Sequence, residues 1–126
     1  APFTTLRGVR EKTPGIAPYH NTPARVIEKW KKGKRFQHKR LGDVPVALLY
    51  NLDTTGGNSG SPLLNARGEV VGVNFDRTFE ATINDYAWSE EYSRSIGVDI
   101  RYILWITHYL AGADHLLTEM GVPVAE

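Results

Sequence analysis

Seven consecutive residues, Gly56-Gly57-Asn58-Ser59-Gly60-Ser61-Pro62, carry the plainest chemistry in the chain. Acyl transfer by a serine needs a hydroxyl held on a tight turn, backbone N–H groups aimed at the developing oxyanion, and a histidine base. Gly57-Asn58-Ser59-Gly60 can supply the first two, because flanking glycines open dihedrals closed to other residues and let a carbonyl approach the backbone. Ser59 is the candidate nucleophile, and the N–H groups of Gly57 and Ser59 are the candidate oxyanion donors. Each such donor is worth roughly 2.7–4 kcal/mol. Gly, Asn and Ser are equally the residues of an ordinary β-turn with incidental serines. The context favours chemistry: a β-prone run precedes the turn, and Pro62 and a returning hairpin strand follow it.

The elements that must hold this turn follow from the spacing of apolar residues. Residues 44–52 form a mostly apolar run that reads as a strand leading into the glycines. Residues 62–64 and 69–75 read as two more strands, joined by the tight turn Asn65-Ala66-Arg67-Gly68, with Gly68 supplying a positive φ. Residues 79–91 read as a long polar loop with aromatics, and 93–98 as a further strand. Upstream, residues 1–20 read as extended and then loop-like, with Pro14-Gly15 as a turn and Pro18 close behind. Thr22 reads as an N-cap with Pro23 at the first helical position, Val26, Ile27 and Trp30 as the apolar stripe, and Gly33 as the stop. Downstream, Asp99 reads as the cap of a helix of about a dozen residues. Its buried side would hold Ile103, Ile106, Leu110 and Trp105; Gly112 would break it, and residues 113–120 would form a shorter helix. Strands therefore precede helices: a mainly β fold with C-terminal helices, residues 1–98 carrying the nucleophile and 99–126 a terminal helical segment.

Composition narrows the classes. A chain of 126 residues with 41% hydrophobic residues and three Trp can bury one domain's core. The net charge of +1 gives no global field for nucleic acid or a membrane surface. No run of about 18 apolar residues is present, so no membrane span is expected. The absence of cysteine removes disulfides, thiol catalysis and Cys-based zinc sites, and neither metal nor cofactor is expected. Residues 29–40 gather seven Lys and Arg around Trp30 and Phe36, a pattern that can bind an anionic partner but more simply forms a solvated helix end and loop.

With Thr55 in front, the serine segment resembles the nucleophile box of chymotrypsin-like serine peptidases, in the variant with Asn before the nucleophile. Glutamyl endopeptidases and the S46 dipeptidyl peptidases share that variant. Digestive-type members place Asp there to pair with a freed N-terminus; Asn58 cannot form that ion pair, which argues against activation by that route. Asn74-Phe75-Asp76-Arg77, the run from Arg94 to Trp105, Ala111-Gly112-Ala113, Leu116-Leu117 and Thr4-Thr5-Leu6-Arg7-Gly8 resemble the S46 family, so the likeness spans nearly the whole chain.

This resemblance implies the second-barrel strands and terminal helices of a chymotrypsin-like double β-barrel, and an exopeptidase that releases dipeptides from free peptide N-termini. Asp76 matches the acidic residue that holds the substrate α-amino group, although an Asp after a strand is often only a turn former. Arg77 matches the S1 position that is Arg in the subfamily cutting after Asp or Glu, although an isolated Arg is usually a solvated surface residue. The family context further implies a homodimer at full length, in the bacterial periplasm or at the cell surface.

The triad is incomplete. The family's order is His, Asp, Ser, yet only His20 and His38 precede Ser59, too near to enclose a first barrel. His108 and His115 fall in the helical pattern, where packing or surface roles are expected. The N-terminus has no leader shape and reads like the middle of a chain. The expectation is a C-terminal fragment, inactive alone, of a longer serine dipeptidyl peptidase. A glutamyl-type endopeptidase and a non-catalytic binding module that kept the turn remain as alternatives.

Overall fold

Apolar β-prone runs opening at Pro45 and at Pro62 build the two strands that flank the serine turn. The structure, a computed structural model, describes residues 2–13 and 21–124. The expected turn at Pro14-Gly15, together with Pro18 and His20, lies outside the described residues. The strands are β1 (Phe3–Thr5), β2 (Pro45–Tyr50), β3 (Pro62–Leu64), β4 (Val70–Arg77) and β5 (Ser95–Asp99). They form one five-stranded sheet in the order β1-β2-β5-β4-β3. The helices are α1 (Leu6–Glu11), α2 (Ala24–Lys32), α3 (Ile100–Tyr109) and α4 (Asp114–Glu119), with a 3-10 helix over Phe79–Asp85. The fold is thus mainly an antiparallel sheet with a few helices. The chain gathers into two compact units, residues 1–3 with 46–100 and residues 4–45 with 101–126.

The first unit holds the serine turn. β5 pairs antiparallel with both β2 (Tyr50 opposite Ser95) and β4 (Asn74 opposite Gly97), and β3 pairs with β4 (Leu63 opposite Gly72). The hairpin between β3 and β4 is the expected one, and Gly68 has φ +78°. Leu63 is the buried apolar residue over this sheet, and it requires a bare backbone beneath it. A Cβ on Gly97 would lie 2.8 Å from Leu63 Cδ1 and 3.0 Å from the Tyr50 ring, closer than real side chains approach. Between Asn74 and Asp76 the β4–β5 register shifts, so Phe75 is an extra residue in the ladder. That bulge interrupts the period-2 alternation and leaves Phe75 and Asp76 both exposed. The expected loop over 79–91 begins instead with the 3-10 helix.

The second unit is organised around Asp43, which is 3% exposed. Its Oδ2 accepts the Arg7 backbone N–H at 2.8 Å, and its Oδ1 accepts Trp30 Nε1–H at 3.0 Å and the Val44 N–H at 2.9 Å. Burial raises the pKa of this carboxyl, but the hydrogen bonds from Trp30, Arg7, Thr5 and Val44 outweigh it and hold the group below its usual range. The same contacts explain α1, a helix within a stretch expected to be extended and then loop-like. Thr5 caps it through the Gly8 N–H, and Asp43 takes the Arg7 N–H, an orphan donor of its first turn.

Two helix details also differ from the periodicity. Pro23 occupies the cap position of α2, and Thr22 pairs with the Thr13 hydroxyl at 2.6 Å rather than capping the helix. Gly33 ends α2 as expected. In α3 Trp105 is the fully buried residue, while Ile103 and Ile106, and Leu110 just past its end, are half-buried. A ten-residue helix concentrates its burial on the one large ring, which stacks with Tyr102 and meets Tyr109 at a tilt.

Candidate functional site

The turn between β2 and β3 is held by its own side chains and by β4. Gly57 and Gly60 have φ of +97° and +87°, and a Cβ at either would meet open space, so backbone conformation rather than crowding makes glycine necessary there. Asn58 closes the turn from within: its Oδ1 accepts the Thr55 N–H at 2.7 Å, and its N–H reaches the Thr55 carbonyl at 3.2 Å. Asn74, buried on β4, clamps it from below. Its Nδ2 donates to the Asn58 carbonyl at 3.1 Å, its carbonyl accepts the Gly60 N–H at 2.8 Å, and its N–H donates to the Ser61 carbonyl at 2.8 Å. The Tyr50 hydroxyl donates in turn to Asn74 Oδ1, and burial pushes its pKa up, favouring the neutral donor form. Asn58 therefore shapes the turn, a role distinct from the terminal ion pair it cannot make.

Ser59 is exposed on this turn, and its Oγ donates to the Phe75 carbonyl at 3.3 Å. The N–H groups of Gly57 and Ser59 have no acceptor among the described residues. The bulge at Phe75 sets that residue beside Ser59, and the next two residues are Asp76 and Arg77. The structure thus brings Ser59 to the end of β4 that carries both expected specificity residues. The unit formed by residues 1–3 and 46–100 contains no histidine, so no base accompanies Ser59 within it.

Asp76 is exposed, and its Oδ1 accepts the Arg77 backbone N–H at 2.8 Å. Its other oxygen has no partner among the described residues and is available to a cation. Arg77 is more enclosed, its side chain 20% exposed. It forms a two-pronged pair with Asp85, Nη1 to Oδ1 and Nη2 to Oδ2, both at 3.0 Å, and Nη1 also donates to the Thr54 carbonyl at 3.2 Å. The Thr55 hydroxyl donates to Asp85 Oδ1 at 2.9 Å. Hydrogen bonds from Arg77 and Thr55 bring the Asp85 carboxyl down to about 2, so it stays ionised. An open cavity of about 440 Å³ is lined by Asp53, Thr54, Thr55 and Asp85; its two carboxylates suit it poorly to an anion. Sequence reasoning missed Asp85 and Thr54, and quoted Asn74 in the family-like run without giving it a role. The segment around Asp85 has no apolar period, and nothing in it signals a partner eight residues back on a strand.

His108 and His115, expected to pack or lie at the surface, belong to the other unit, where His108 Nδ1 meets Asp114 Oδ1 at 2.6 Å. The basic stretch 29–40 lies in that unit as well. Within it Arg35 Nη1 donates to the Val124 carbonyl and its guanidinium covers the Phe36 ring, so part of the run is structural.

Comparison with known proteins identifies the family. The family model described as Peptidase S46 matches residues 1–122. An Asp/Glu-specific dipeptidyl-peptidase of Shewanella putrefaciens is 36% identical over 144 residues, covering 96% of this chain and 20% of that protein. A dipeptidyl-peptidase 7 of Phocaeicola vulgatus is 41% identical over 122 residues, covering 95% of this chain and 17% of that protein. The crystal structure of Porphyromonas endodontalis DPP11 in complex with the dipeptide Arg-Asp superposes with a TM-score of 0.89 at 35% identity, over 99% of this chain and 18% of that one. The chain spans about a fifth of the length of these relatives.

Proposed function

The chain belongs to the S46 peptidase family, and on that footing we propose that it carries the nucleophile and the specificity residues of a serine dipeptidyl peptidase acting after Asp or Glu. Overall identity does not choose the specificity, because relatives named Asp/Glu-specific and relatives named dipeptidyl-peptidase 7 are similarly close. Arg77 makes that choice. The observation that carries the reading is the Ser59 Oγ contact to the Phe75 carbonyl, which sets the hydroxyl one residue from Asp76 and two from Arg77.

The chemistry follows from these positions. A peptide enters with its free ammonium against the open oxygen of Asp76 and a P1 carboxylate against Arg77. Requiring the ammonium limits cleavage to the second peptide bond. Ser59 Oγ attacks the P1 carbonyl carbon, the Gly57 and Ser59 N–H groups take the oxyanion, and a base removes the hydroxyl proton. That base and its orienting acid lie outside this chain. The parent enzyme then resembles a chymotrypsin-like double barrel, with this sheet in the second barrel. In the same reading residues 1–98 and 99–126 belong to one peptidase domain, the full-length protein is a homodimer, and it works in the bacterial periplasm or at the cell surface.

One Glu-containing peptide, offered to the full-length protein with a free and with a blocked N-terminus, tests the exopeptidase claim. The free peptide should lose its N-terminal dipeptide while the blocked one stays intact. Cleavage of both at equal rates would establish an endopeptidase and leave Asp76 with no ammonium to hold.

A further inference from the structure

A guanidinium has five N–H donors, arranged as two separate forks: an end-on fork formed by both Nη atoms, and a side-on fork formed by Nε and one Nη. In Arg77 the end-on fork is occupied. Both Nη1–H groups are used, on the Thr54 carbonyl at 3.2 Å and Asp85 Oδ1 at 3.0 Å, and one Nη2–H goes to Asp85 Oδ2 at 3.0 Å. Nε–H and the second Nη2–H have no acceptor among the described residues. Asp85 is itself anchored by the Thr55 hydroxyl at 2.9 Å, on the chain segment that leads into the serine turn.

We propose that Asp85 is the positioning residue of Arg77: with the Thr54 carbonyl it locks the end-on fork, so that the side-on fork faces a P1 carboxylate. The inference rests on the reading that Arg77 lines S1. A free arginine side chain carries rotamer entropy that an anchored one does not surrender again on binding. The anchor also partly neutralises Arg77, so selection of an acidic P1 relies on the geometry of two parallel hydrogen bonds more than on net charge. Asp85 remains ionised wherever a peptide carboxylate is ionised, so the anchor holds across the range in which substrate binds. The opposite role for the same pair is that of an internal competitor, a carboxylate that substrate must displace.

The two roles move KM in opposite directions. In the full-length protein, Asp85→Ala should raise KM for a free-N-terminus Xaa-Asp coumarin amide about ten-fold, the loss of one charge-assisted interaction, with kcat little changed. Asp85→Asn, which keeps one acceptor facing Nη1, should fall between Ala and the parent. The rate at which a fluorophosphonate labels Ser59 uses no P1 carboxylate and should stay constant in both variants. A KM that falls, or that stays unchanged in both, overturns the positioning role, and so does a matching loss of labelling. Arg77→Ala, assayed beside them, separates the two levels. If acidic preference survives that substitution, the S1 reading itself fails; if it is lost while the Asp85 variants behave like the parent, only the present inference fails.

Discussion

Asp76 and Arg77 are adjacent, yet one is exposed with an unshared carboxylate oxygen and the other is enclosed and anchored. The bulge at Phe75 decides which is which, since the alternation that buries Gly72 and Asn74 would otherwise have turned Asp76 inward and Arg77 outward. Arg77→Gly in the full-length protein should lower kcat/KM for acidic-P1 substrates by about 10- to 100-fold, the range for losing a charged hydrogen-bonding group. Steady-state kinetics on Xaa-Asp and Xaa-Leu amides would show whether the loss is selective; an equal loss on both would remove Arg77 from S1. Asp76→Asn should act on the other end of the substrate, narrowing the rate difference between N-free and N-blocked peptides. At this scale the sequence offered a role only where a motif framed the residue, as for Ser59, Gly57, Asp76 and Arg77. It was silent on Asp85, whose significance exists only once the 3-10 helix brings it to β4.

At the scale of elements, the β3–β4 hairpin that follows the serine turn was legible because its signals, Gly68 and the β-branched run of β4, are local. α1 was not, because its six residues are too few to show a period and its support comes from Asp43, 36 residues away from Arg7. Asp43→Ala would strip Trp30, Arg7 and Val44 of a shared acceptor. It should cost about 2–3 kcal/mol, read as a lower thermal midpoint and faster amide exchange at Arg7 and Val44. The sign with pH is fixed by the lowered pKa of Asp43. Its contribution is full above the unfolded carboxyl value of about 4 and is lost as pH falls through the lower folded value, so parent and variant should converge in acid. The serine turn has a backbone requirement of its own. Gly60→Ala, at φ +87°, should cost about 1–2 kcal/mol and slow Ser59 labelling, because the strained turn would pull the Gly60 N–H from the Asn74 carbonyl.

For the whole molecule, the sequence indicated strands, helices and the absence of a suitable histidine, but not the grouping of residues 4–45 with 101–126. Long-range partnerships such as Gly33 beneath the Tyr109 ring decide that grouping, and composition does not encode them. The unit bearing Ser59 has no histidine, so the 126-residue chain alone should release no dipeptide at a useful rate. A fluorophosphonate label on the full-length protein, located by mass spectrometry of its peptides, tests the central claim most directly. The account predicts one adduct, on Ser59, whose formation is slowed by excess Xaa-Asp dipeptide. An unlabelled Ser59, or an adduct on a different serine, would contradict it.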